Sequence, residues 1–261
     1  MSNIKASVLI ASHNNSKFIK DCLTSLKEQT YNNIEVILFD DCSNDNSVEE
    51  VKKFSNIDLI INTKNGKFGS YNQMNAYKQA FKKSKGEIIF FLDSDDYFCV
   101  DKIEKVINKF TLDKNLKVVF DLPNYRYEDG VKKKIINKNK LLKNYWPFIF
   151  PQSCISIRRD CIKKIFKEIY FEKFSNTWMD FRVSVYANHV LKSFIVIKEN
   201  LTYYRQSSSN VSSKFKFLGK EWWKRRLEAH EYIKFFFKKN NILYLKNLDY
   251  LITIFFNKFI K

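Results

Sequence analysis

The sequence contains little of what builds long linkers or crosses a membrane. Among 261 residues there are 5 glycines and 3 prolines, so long flexible or proline-stiffened linkers are not expected. No apolar run approaches the roughly 18 residues that a transmembrane helix requires. Hydrophobic residues nevertheless make up 45% of the chain, which is enough for the core of one large domain, or of a domain with a smaller appendage.

The cysteines exclude two further classes of protein. There are 5 of them, an odd number, and no two form a CxxC pair, so neither a disulfide framework nor a zinc ribbon is expected. Reduced thiols are typical of the cytosol. The first residues lead directly into a short apolar run without the pattern of a signal peptide. We therefore expect a cytoplasmic protein.

Acidic residues are too few to balance the basic ones, and the formal net charge is +18. Such a charge attracts nucleic acid, acidic lipid headgroups or phosphorylated substrates, although a lysine-rich solvated surface also explains most individual lysines. The excess is concentrated in residues 214–261, which hold 12 Lys or Arg against 4 Asp or Glu. This segment therefore differs in character from the rest of the chain.

Short apolar runs alternate with amphipathic segments over the first 120 or so residues. Strands are predicted at residues 7–11, 34–39, 57–61, 88–92 and 118–120. Helices are predicted at 44–54 and 71–83, and another follows Asn15 or Ser16, one of which would cap it. This alternation predicts βαβ crossovers and an α/β fold with a mainly parallel sheet flanked by helices.

Aspartates follow two of the predicted strands. Asp40 and Asp41 come after the second strand, and Asp93, Asp95 and Asp96 come after the fourth. Because ligands bind beyond the carboxyl ends of the strands in such sheets, these carboxylates should converge on one rim. Gathered carboxylates repel one another unless a cation is present. A divalent metal with oxygen ligands, Mn²⁺ or Mg²⁺, is the simplest remedy and would bring a phosphate with it.

Four segments, in this order, resemble family 2 glycosyltransferases. They are Ser7-Val-Leu-Ile-Ala-Ser-His-Asn-Asn15, Gln29-Thr30-Tyr31, Phe39-Asp-Asp-Cys-Ser-Asn-Asp45 and Lys85-Gly-Glu-Ile-Ile-Phe-Phe-Leu-Asp-Ser-Asp-Asp96. The resemblance implies a GT-A fold, in which a nucleotide-binding sheet carries an acceptor-binding half. It divides the chain into a transferase domain, residues 1–213, and a basic, aromatic helical extension, residues 214–261. Within the domain, residues 1–110 would bind the nucleotide-sugar and residues 111–213 the acceptor.

The resemblance also implies how the nucleotide is held. Ala11, Ser12 and His13, in the loop after the first strand, would hold the base, with His13 stacking on it. Asp41 would accept a hydrogen bond from the base or ribose. Lys67 lies in a glycine-containing loop, Asn65 to Gly69, just before a predicted helix. Helix N-termini attract phosphate, and Lys67 would add a point charge there.

By the same resemblance, Asp93-Ser94-Asp95 is the DxD motif of the family. Asp95 would ligate the metal directly, and Asp93 would hold the ribose or a water of the metal. The chemistry needs a metal because the nucleoside diphosphate develops negative charge as the sugar departs. Tyr204 and Arg205, in a predicted closing strand, would contact phosphate.

An inverting transferase needs a base that deprotonates the acceptor hydroxyl. Asp180 matches the position of the family's catalytic aspartate, although Met179 replaces the glutamate that usually precedes it. Trp178 and Phe181 would raise the pKa of Asp180 by desolvation. The alternative is an ordinary acidic residue at a helix start, paired with Arg182.

Other interpretations remain open at this point. Asp40 or Asp41 alone would serve equally well as a helix N-cap or turn residue. A DxD also occurs in haloacid-dehalogenase phosphatases, but there it opens the domain instead of following a fourth strand. The main rival is a non-catalytic protein on a degenerate transferase fold that binds membrane or nucleic acid. Binding of nucleoside diphosphates would discriminate between the two.

The extension, residues 214–261, interleaves basic residues with 13 aromatic ones. This pattern is typical of helices at an anionic membrane surface, and equally of a helical pair that packs onto the catalytic domain. The first interpretation predicts a soluble truncation, and the second predicts aggregation. Nucleic acid is a weaker alternative.

Taken together, these features predict a metal-dependent inverting glycosyltransferase. It would move a sugar from a nucleotide-sugar, UDP-linked, to a saccharide or lipid-linked acceptor in bacterial surface glycan synthesis. We expect it in the cytoplasm, peripheral on the inner face of the cell membrane. The sequence indicates neither the sugar nor the oligomeric state.

Overall fold

The computed structural model describes residues 3–64, 66–127, 130, 132–134, 145–206 and 215–259. Asn65, which belongs to the predicted phosphate loop, lies outside these ranges. The strands are β1 (Ala6–Ser12), β2 (Ile34–Asp41), β3 (Ile57–Asn62), β4 (Ile88–Asp93), β5 (Tyr97–Phe98), β6 (Val118–Tyr127), β7 (Lys132–Lys134), β8 (Ile155–Arg158) and β9 (Phe194–Gln206). The helices are α1 (Ile19–Lys27), α2 (Ser47–Lys52), α3 (Gly69–Lys83), α4 (Lys102–Leu112), α5 (Arg159–Ile169), α6 (Met179–Tyr186), α7 (Lys220–Lys239) and α8 (Leu248–Phe259).

The strands form one sheet in the order β3-β2-β1-β4-β8-β6-β9-β5, and β7 pairs with β6. The pairs β3–β2, β2–β1 and β1–β4 are parallel, as is β6–β9. Strand β8 runs antiparallel to both of its neighbours, and β5 runs antiparallel to β9. The predicted α/β class with a mainly parallel sheet is therefore confirmed, with a mixed half beyond β4.

The register of the parallel strands aligns their carboxyl ends. Ala11 of β1 lies opposite both Phe39 of β2 and Asp93 of β4, and Asp41 lies opposite Asn62 of β3. The aspartates that follow these strands therefore emerge at one edge of the sheet, as the sequence predicts. The predicted division of the transferase domain into two halves stays a prediction, because one continuous sheet runs through both.

Successive side chains along the strands point to opposite faces of the sheet and pack in two hydrophobic cores, one on each face. Val8 and Ile10 pack under α1, α2 and α4, whereas Leu9 points to the other face, which α3, α5, α6 and α7 cover. Every one of these side chains is fully buried. Helices on both faces of the sheet explain why the strands read as nearly continuous apolar runs.

Helix α7 belongs to the second of these cores. Tyr232, Ile233, Phe236 and Phe237 are at most 1% exposed and pack against α5 and α6 residues. The packing interpretation of the extension is therefore confirmed for α7. Removing residues 214–261 would expose this core, so we now expect aggregation and not a soluble truncation.

Three local predictions are wrong in detail. Helix α1 begins at Ile19 without a side-chain cap, because a turn precedes it in which the Asn15 backbone carbonyl accepts from the N–H groups of Phe18 and Ile19, which leaves the apolar Phe18 at the N-cap position. Helix α2 covers only Ser47–Lys52, because Asp45 folds the preceding loop by accepting hydrogen bonds from the backbone N–H groups of Ser16 and Ser47. The fifth predicted strand continues from 120 to 127, where it pairs with β9.

Candidate active site

A cavity of about 740 Å³ opens at the carboxyl ends of β1, β2 and β4. Its walls also include the first turns of α3 and α6, the residues just before β8, and one side chain of α7. Nine of the predicted site residues line it: Ala11, Ser12, His13, Asp41, Asp93, Ser94, Asp95, Asp180 and Tyr204. Lys67 and Arg205 do not.

The loops after β1 and β2 form one wall of the cavity. His13 Nδ1 lies 2.7 Å from the carbonyl oxygen of Asp41, so this nitrogen carries the proton, and Nε2 is left to accept from the Asn14 amide at 3.3 Å. The Asp41 carboxylate accepts a hydrogen bond from Asn62 Nδ2 at 2.8 Å and faces the cavity. Asp40 is buried and bonded to the Ser43 N–H and hydroxyl, so it is a turn residue.

Asp93 sits at the end of β4 under two donors from α3. Its Oδ1 accepts hydrogen bonds from Gln73 Nε2 at 3.0 Å and from the Tyr77 hydroxyl at 2.7 Å. Burial, and then the nearby charge of Asp95, raise the pKa of Asp93 to about 7. Burial also raises the pKa of Asp95, and the Arg205 guanidinium partly opposes that rise. Like charges are thus held together at a cost that a bound cation would relieve.

A buried polar layer fixes the backbone beneath this pair. Ser153 Oγ accepts from the Asp93 N–H at 3.0 Å and donates to the Asp96 carboxylate at 2.6 Å. The Ser153 carbonyl in turn accepts from Lys102 Nζ at 2.6 Å, and Lys102 pairs with Asp121 at 2.8 Å, both fully buried. A buried ion pair of this kind resists rearrangement more than it adds stability. These bonds therefore hold the backbone of the DxD motif in one conformation.

The two residues that miss the cavity have other partners. Lys67 makes an exposed ion pair with Glu172 at 2.7 Å, although its neighbour Gly66 lines the cavity. Such a pair costs little to open, so a phosphate contact by Lys67 stays a prediction. Arg205 lies behind the DxD motif, where it bonds the Asp95 carbonyl and pairs with Asp21 at 2.9 Å.

Asp180 reaches the cavity from the other side, in the first turn of α6. The N–H of Phe181 donates to its Oδ1 at 2.7 Å. Burial raises the pKa of Asp180, whereas the guanidinium of Arg225 on α7 lowers it. Arg182 is not its partner, contrary to the alternative from the sequence. Its guanidinium is fully buried and donates to the carbonyls of Ile169, Phe171, Lys173, Phe174 and Thr177.

The cavity also contains buried amide atoms that have no protein partner within the described ranges. They are Asn72 Oδ1, Gln73 Oε1, Gln152 Oε1 and Gln152 Nε2. Buried polar groups are nearly always paired, so these atoms indicate where a polar ligand sits. Gly69 opens the same wall, because a Cβ there would lie 2.9 Å from the Trp178 ring. Gln152 is not among the site residues predicted from the sequence, because a single Gln in a loop carries no pattern that indicates a ligand contact.

A second cleft of about 290 Å³ adjoins the first and shares Trp178, Asp180 and Arg225 with it. Four of the nine other residues that line it are aromatic, and Arg226 joins Arg225 on the α7 side. The nine residues are Trp146, Ile149, Asn176, Thr177, Phe181, Phe215, Trp222, Arg226 and Ala229. Asp180 therefore stands at the junction of two compartments. From the sequence, Arg225 is only one basic residue of a charged segment. Its proximity to Asp180 could not be predicted because it arises from tertiary packing.

The carboxylates fit a metal that is shared with a substrate. In the part of the chain that the structure describes, no three His, Cys, Asp or Glu side chains are grouped closely enough to hold a metal ion. Mg²⁺ and similar ions are commonly held by one or two carboxylates, with phosphate and water completing the shell. Asp95, supported by Asp93, offers that kind of partial set.

The family model for glycosyl transferase family 2 matches residues 7–182, which include the DxD motif and Asp180. The chain belongs to this family. It is a glycosyltransferase, and its sheet with flanking and C-terminal helices is a GT-A fold. The family membership argues against the alternative of a non-catalytic binding protein.

Two relatives align with most of this family 2 chain. The UDP-Glc:alpha-D-GlcNAc-diphosphoundecaprenol beta-1,3-glucosyltransferase WfgD of Escherichia coli is 28% identical over 237 residues, which are 85% of each chain. An uncharacterized glycosyltransferase of Nostoc is 26% identical over 223 residues, which are 79% of this chain and 66% of the relative. The present chain thus spans about two thirds of the Nostoc protein.

Two solved structures share the fold. Staphylococcus aureus TarS 1–349 in complex with UDP-GlcNAc superposes with a TM-score of 0.63 at 21% identity, covering 87% of this chain and 66% of that one. The mannosyltransferase PcManGT of Pyrobaculum calidifontis, in complex with GDP-Man and Mn²⁺, gives 0.59 at 15% identity and covers 100% and 70%.

Proposed function

We propose that this glycosyltransferase is metal-dependent and inverting, and that it moves a sugar from a UDP-sugar to a saccharide or lipid-linked acceptor in bacterial surface glycan synthesis. The observation that carries the proposal is the placement of Asp180. It faces the Asp93–Asp95 pair across one cavity and borders a second cleft that is suited to an acceptor. A single base on the acceptor side is what in-line displacement with inversion requires.

The donor would occupy the larger cavity. His13 offers a ring face for the base, and Asp41 an acceptor for the base or ribose. The N-terminus of α3 supplies backbone N–H groups, and the unpaired amides of Gln73 and Gln152 supply further polar atoms for the diphosphate and sugar. UDP is favoured because WfgD uses UDP-Glc and TarS was crystallised with UDP-GlcNAc.

Asp95, with Asp93 beside it, would hold Mn²⁺ or Mg²⁺. When bound, the metal would neutralise the charge that grows on the departing nucleoside diphosphate. The DxD geometry supports the assignment, since the carboxylates lie against the cavity on a fixed backbone. The Mn²⁺ of PcManGT gives a precedent in this fold.

Asp180 would act on the acceptor. Its carboxylate takes the proton of the acceptor hydroxyl while that oxygen attacks the anomeric carbon. The bond from that carbon to the donor phosphate breaks, and its electron pair leaves with the diphosphate. A raised pKa makes Asp180 a stronger base than a solvated aspartate, while the Arg225 guanidinium favours its ionised form.

The second cleft would receive the acceptor. Trp146, Trp178 and Trp222 offer flat faces on which a sugar ring can pack. Arg225 stands beside Asp180, where a guanidinium would pair with phosphate on a lipid-linked acceptor. WfgD acts on a diphosphoundecaprenol-linked sugar, which is an acceptor of this chemistry. An acceptor of this kind would be met in the cytoplasm, on the inner face of the cell membrane.

Calorimetry of UDP binding, with and without MnCl₂, tests the donor and metal assignments. We expect binding that strengthens at least tenfold with Mn²⁺, and Asp95→Ala should remove that gain while the protein stays folded. Asp58→Ala, an exposed aspartate on β3, is the matched control and should behave as wild type. If no nucleoside diphosphate binds, or if Asp95→Ala keeps the full response to Mn²⁺, the proposal is wrong. If UDP binds as expected, metal-dependent hydrolysis of a panel of nucleotide-sugars would identify the sugar that is transferred.

A further inference from the structure

Helix α8 packs with its polar side towards the protein. Asp249 and Thr253 are at most 3% exposed. Arg226 of α7 pairs with the Asp249 carboxylate and donates from Nε to Thr253 Oγ1 at 3.1 Å. One turn further on, Asn257 Nδ2 donates to the Trp223 carbonyl at 3.0 Å. The helix is thus held to α7 by hydrogen bonds and an ion pair along its polar side.

The apolar side of α8 consequently faces outward. The helix exposes Leu248 (58%), Leu251 (50%), Phe255 (56%), Phe256 (43%) and Phe259 (72%). These positions recur at the three- and four-residue spacing that places side chains on one helical face. A surface helix in a globular protein normally turns that face to the core. Contiguous exposed apolar surface of this kind marks an interaction site.

The surface around this face is cationic. The loop before α8 adds two exposed leucines, Leu243 (75%) and Leu245 (61%), together with exposed Lys246. Lys258 is exposed near the end of the helix. The one carboxylate between residues 241 and 259 is Asp249, which is buried and paired. Exposed leucine and phenylalanine beside lysines, with no exposed carboxylate among residues 241–259, match an anionic lipid surface.

The exposed face continues into the acceptor cleft through a row of aromatic rings. Phe256 stacks on Trp223 with ring centroids 4.5 Å apart, and Trp223 contacts Trp222 at 4.7 Å. Trp222 lines the cleft and also meets Phe217, which is 76% exposed. A bilayer that covers the α8 face would therefore lie close to the mouth of the cleft that contains Asp180.

We propose that the outward face of α8, with the preceding leucines, docks on an anionic lipid bilayer and presents the acceptor cleft to the membrane surface. The inference rests on the proposed function, because a lipid-linked acceptor is what would require the enzyme to dock on a membrane. Binding to vesicles can nevertheless be measured without catalysis. A second copy of the chain is a poorer occupant. In a two-fold pair the same patch would face itself and bring Lys246 and Lys258 of both copies together. None of the described helices is long and apolar enough to cross a bilayer, so docking would be peripheral.

Sedimentation of the full chain with vesicles of phosphatidylcholine, with or without 30% phosphatidylglycerol, tests the proposal. We expect binding to the anionic vesicles that weakens as salt rises. The triple variant Leu251→Gln, Phe255→Gln, Phe259→Gln should bind at least tenfold less. Lys246→Gln with Lys258→Gln should cost about fivefold for each lysine on anionic vesicles only.

The chain offers a matched control for the triple variant. Ile61, Val100 and Leu112 are also exposed, at 49%, 53% and 82%, and lie far from α8 in sequence. Changing these three to Gln should leave vesicle binding as in wild type. All variants should retain UDP binding, which shows that they are folded.

Two outcomes would overturn the docking surface. One is equal vesicle binding by wild type and the Leu251/Phe255/Phe259 variant. The other is a wild-type dimer that this variant dissociates, with no vesicle binding by either, which would make the α8 face a self-interface. Vesicle binding without any nucleotide binding would instead refute the proposed function and leave the docking surface standing.

Discussion

Arg205 Nε donates a hydrogen bond to the carbonyl oxygen of Asp95 at 2.9 Å. The same guanidinium pairs with Asp21 at 2.9 Å and lies over the Phe18 ring, so it holds the backbone of the DxD motif from behind. The phosphate contact that the sequence suggested for this residue stays a prediction. We infer from these bonds that Arg205 positions Asp95.

Replacing Arg205 with Lys should weaken donor binding. Lysine keeps the charge but cannot reach the Asp95 carbonyl and Asp21 with one planar fork. We expect about a tenfold rise in the Kd for UDP with Mn²⁺, measured by calorimetry, and little change in Tm. Arg159→Lys is the control, because Arg159 bonds Ser84 and Gly86 at the opposite end of β4. An unchanged Kd for Arg205→Lys would contradict the role.

Asp180→Asn should leave UDP binding intact and lower kcat by about a hundredfold, the usual scale for a general base. Because burial raises the pKa of Asp180, the wild-type kcat should fall on the acid side at a pH above that of an ordinary aspartate, and the variant should lack this fall. Asp160→Asn, in the first turn of α5 with a 61% exposed side chain, serves as control. Lost donor affinity at unchanged kcat would move Asp180 from chemistry to binding.

Arg225→Gln tests the acceptor cleft. The guanidinium favours the ionised form of Asp180, so its loss should raise the pKa of Asp180 and shift the acid side of the kcat profile to higher pH. With a diphosphate-linked acceptor we also expect about a tenfold rise in KM, and a smaller rise with a neutral saccharide. Lys224→Gln, next in the chain and exposed, should change neither quantity. Equal effects on both acceptors would argue against a phosphate contact.

Asp93→Asn should stabilise the metal-free protein at alkaline pH. The folded-state pKa of about 7 exceeds the ordinary 3.8, so the folded form holds the proton more tightly and stability falls as pH rises from about 3.8 to about 7. The full cost is about 4 kcal/mol at most, less where solvent reaches the group. In EDTA, Asn should raise Tm by a few degrees at pH 8 and much less at pH 5.

The same experiment has a simple control. Asp58→Asn removes an exposed carboxylate from β3 and should have the same Tm as wild type at each of the two pH values. If the Tm of Asp93→Asn differed from that of wild type by the same amount at pH 5 and at pH 8, Asp93 would carry no such cost. Activity should be lost in Asp93→Asn whatever its Tm, since stability and function conflict at this position.

Much of the donor side could be predicted from the sequence, because two local rules combine there. Apolar runs of strand length mark β1, β2 and β4, and parallel topology brings the residues after them to one edge. Asp41, Asp93 and Asp95 were therefore expected together, and they line one cavity. The prediction of a cap at Asn15 or Ser16 was wrong because a turn delays the helix to Ile19 and leaves Phe18 at its N-cap position.

The acceptor side could not be predicted in the same way. Arg225 reaches Asp180 only because α7 packs over α6, a contact between segments about 45 residues apart that no local period encodes. The sequence left open whether the aromatic residues of α8 pack onto the domain or face outward. The structure turns the apolar side of α8 outward because Arg226 pairs with Asp249 and donates to Thr253 on its polar side.

The five carbonyls that Arg182 collects have a consequence for engineering. The stretch between α5 and α6, which leads to Trp178 and Asp180, has few backbone bonds of its own and is ordered by a side chain that lies outside it. The conformation of this stretch therefore depends on Arg182. A chimaera that exchanges residues 170–178 to change acceptor preference would have to keep Arg182 and offer it the same carbonyls, because the exchanged segment would otherwise not hold its conformation.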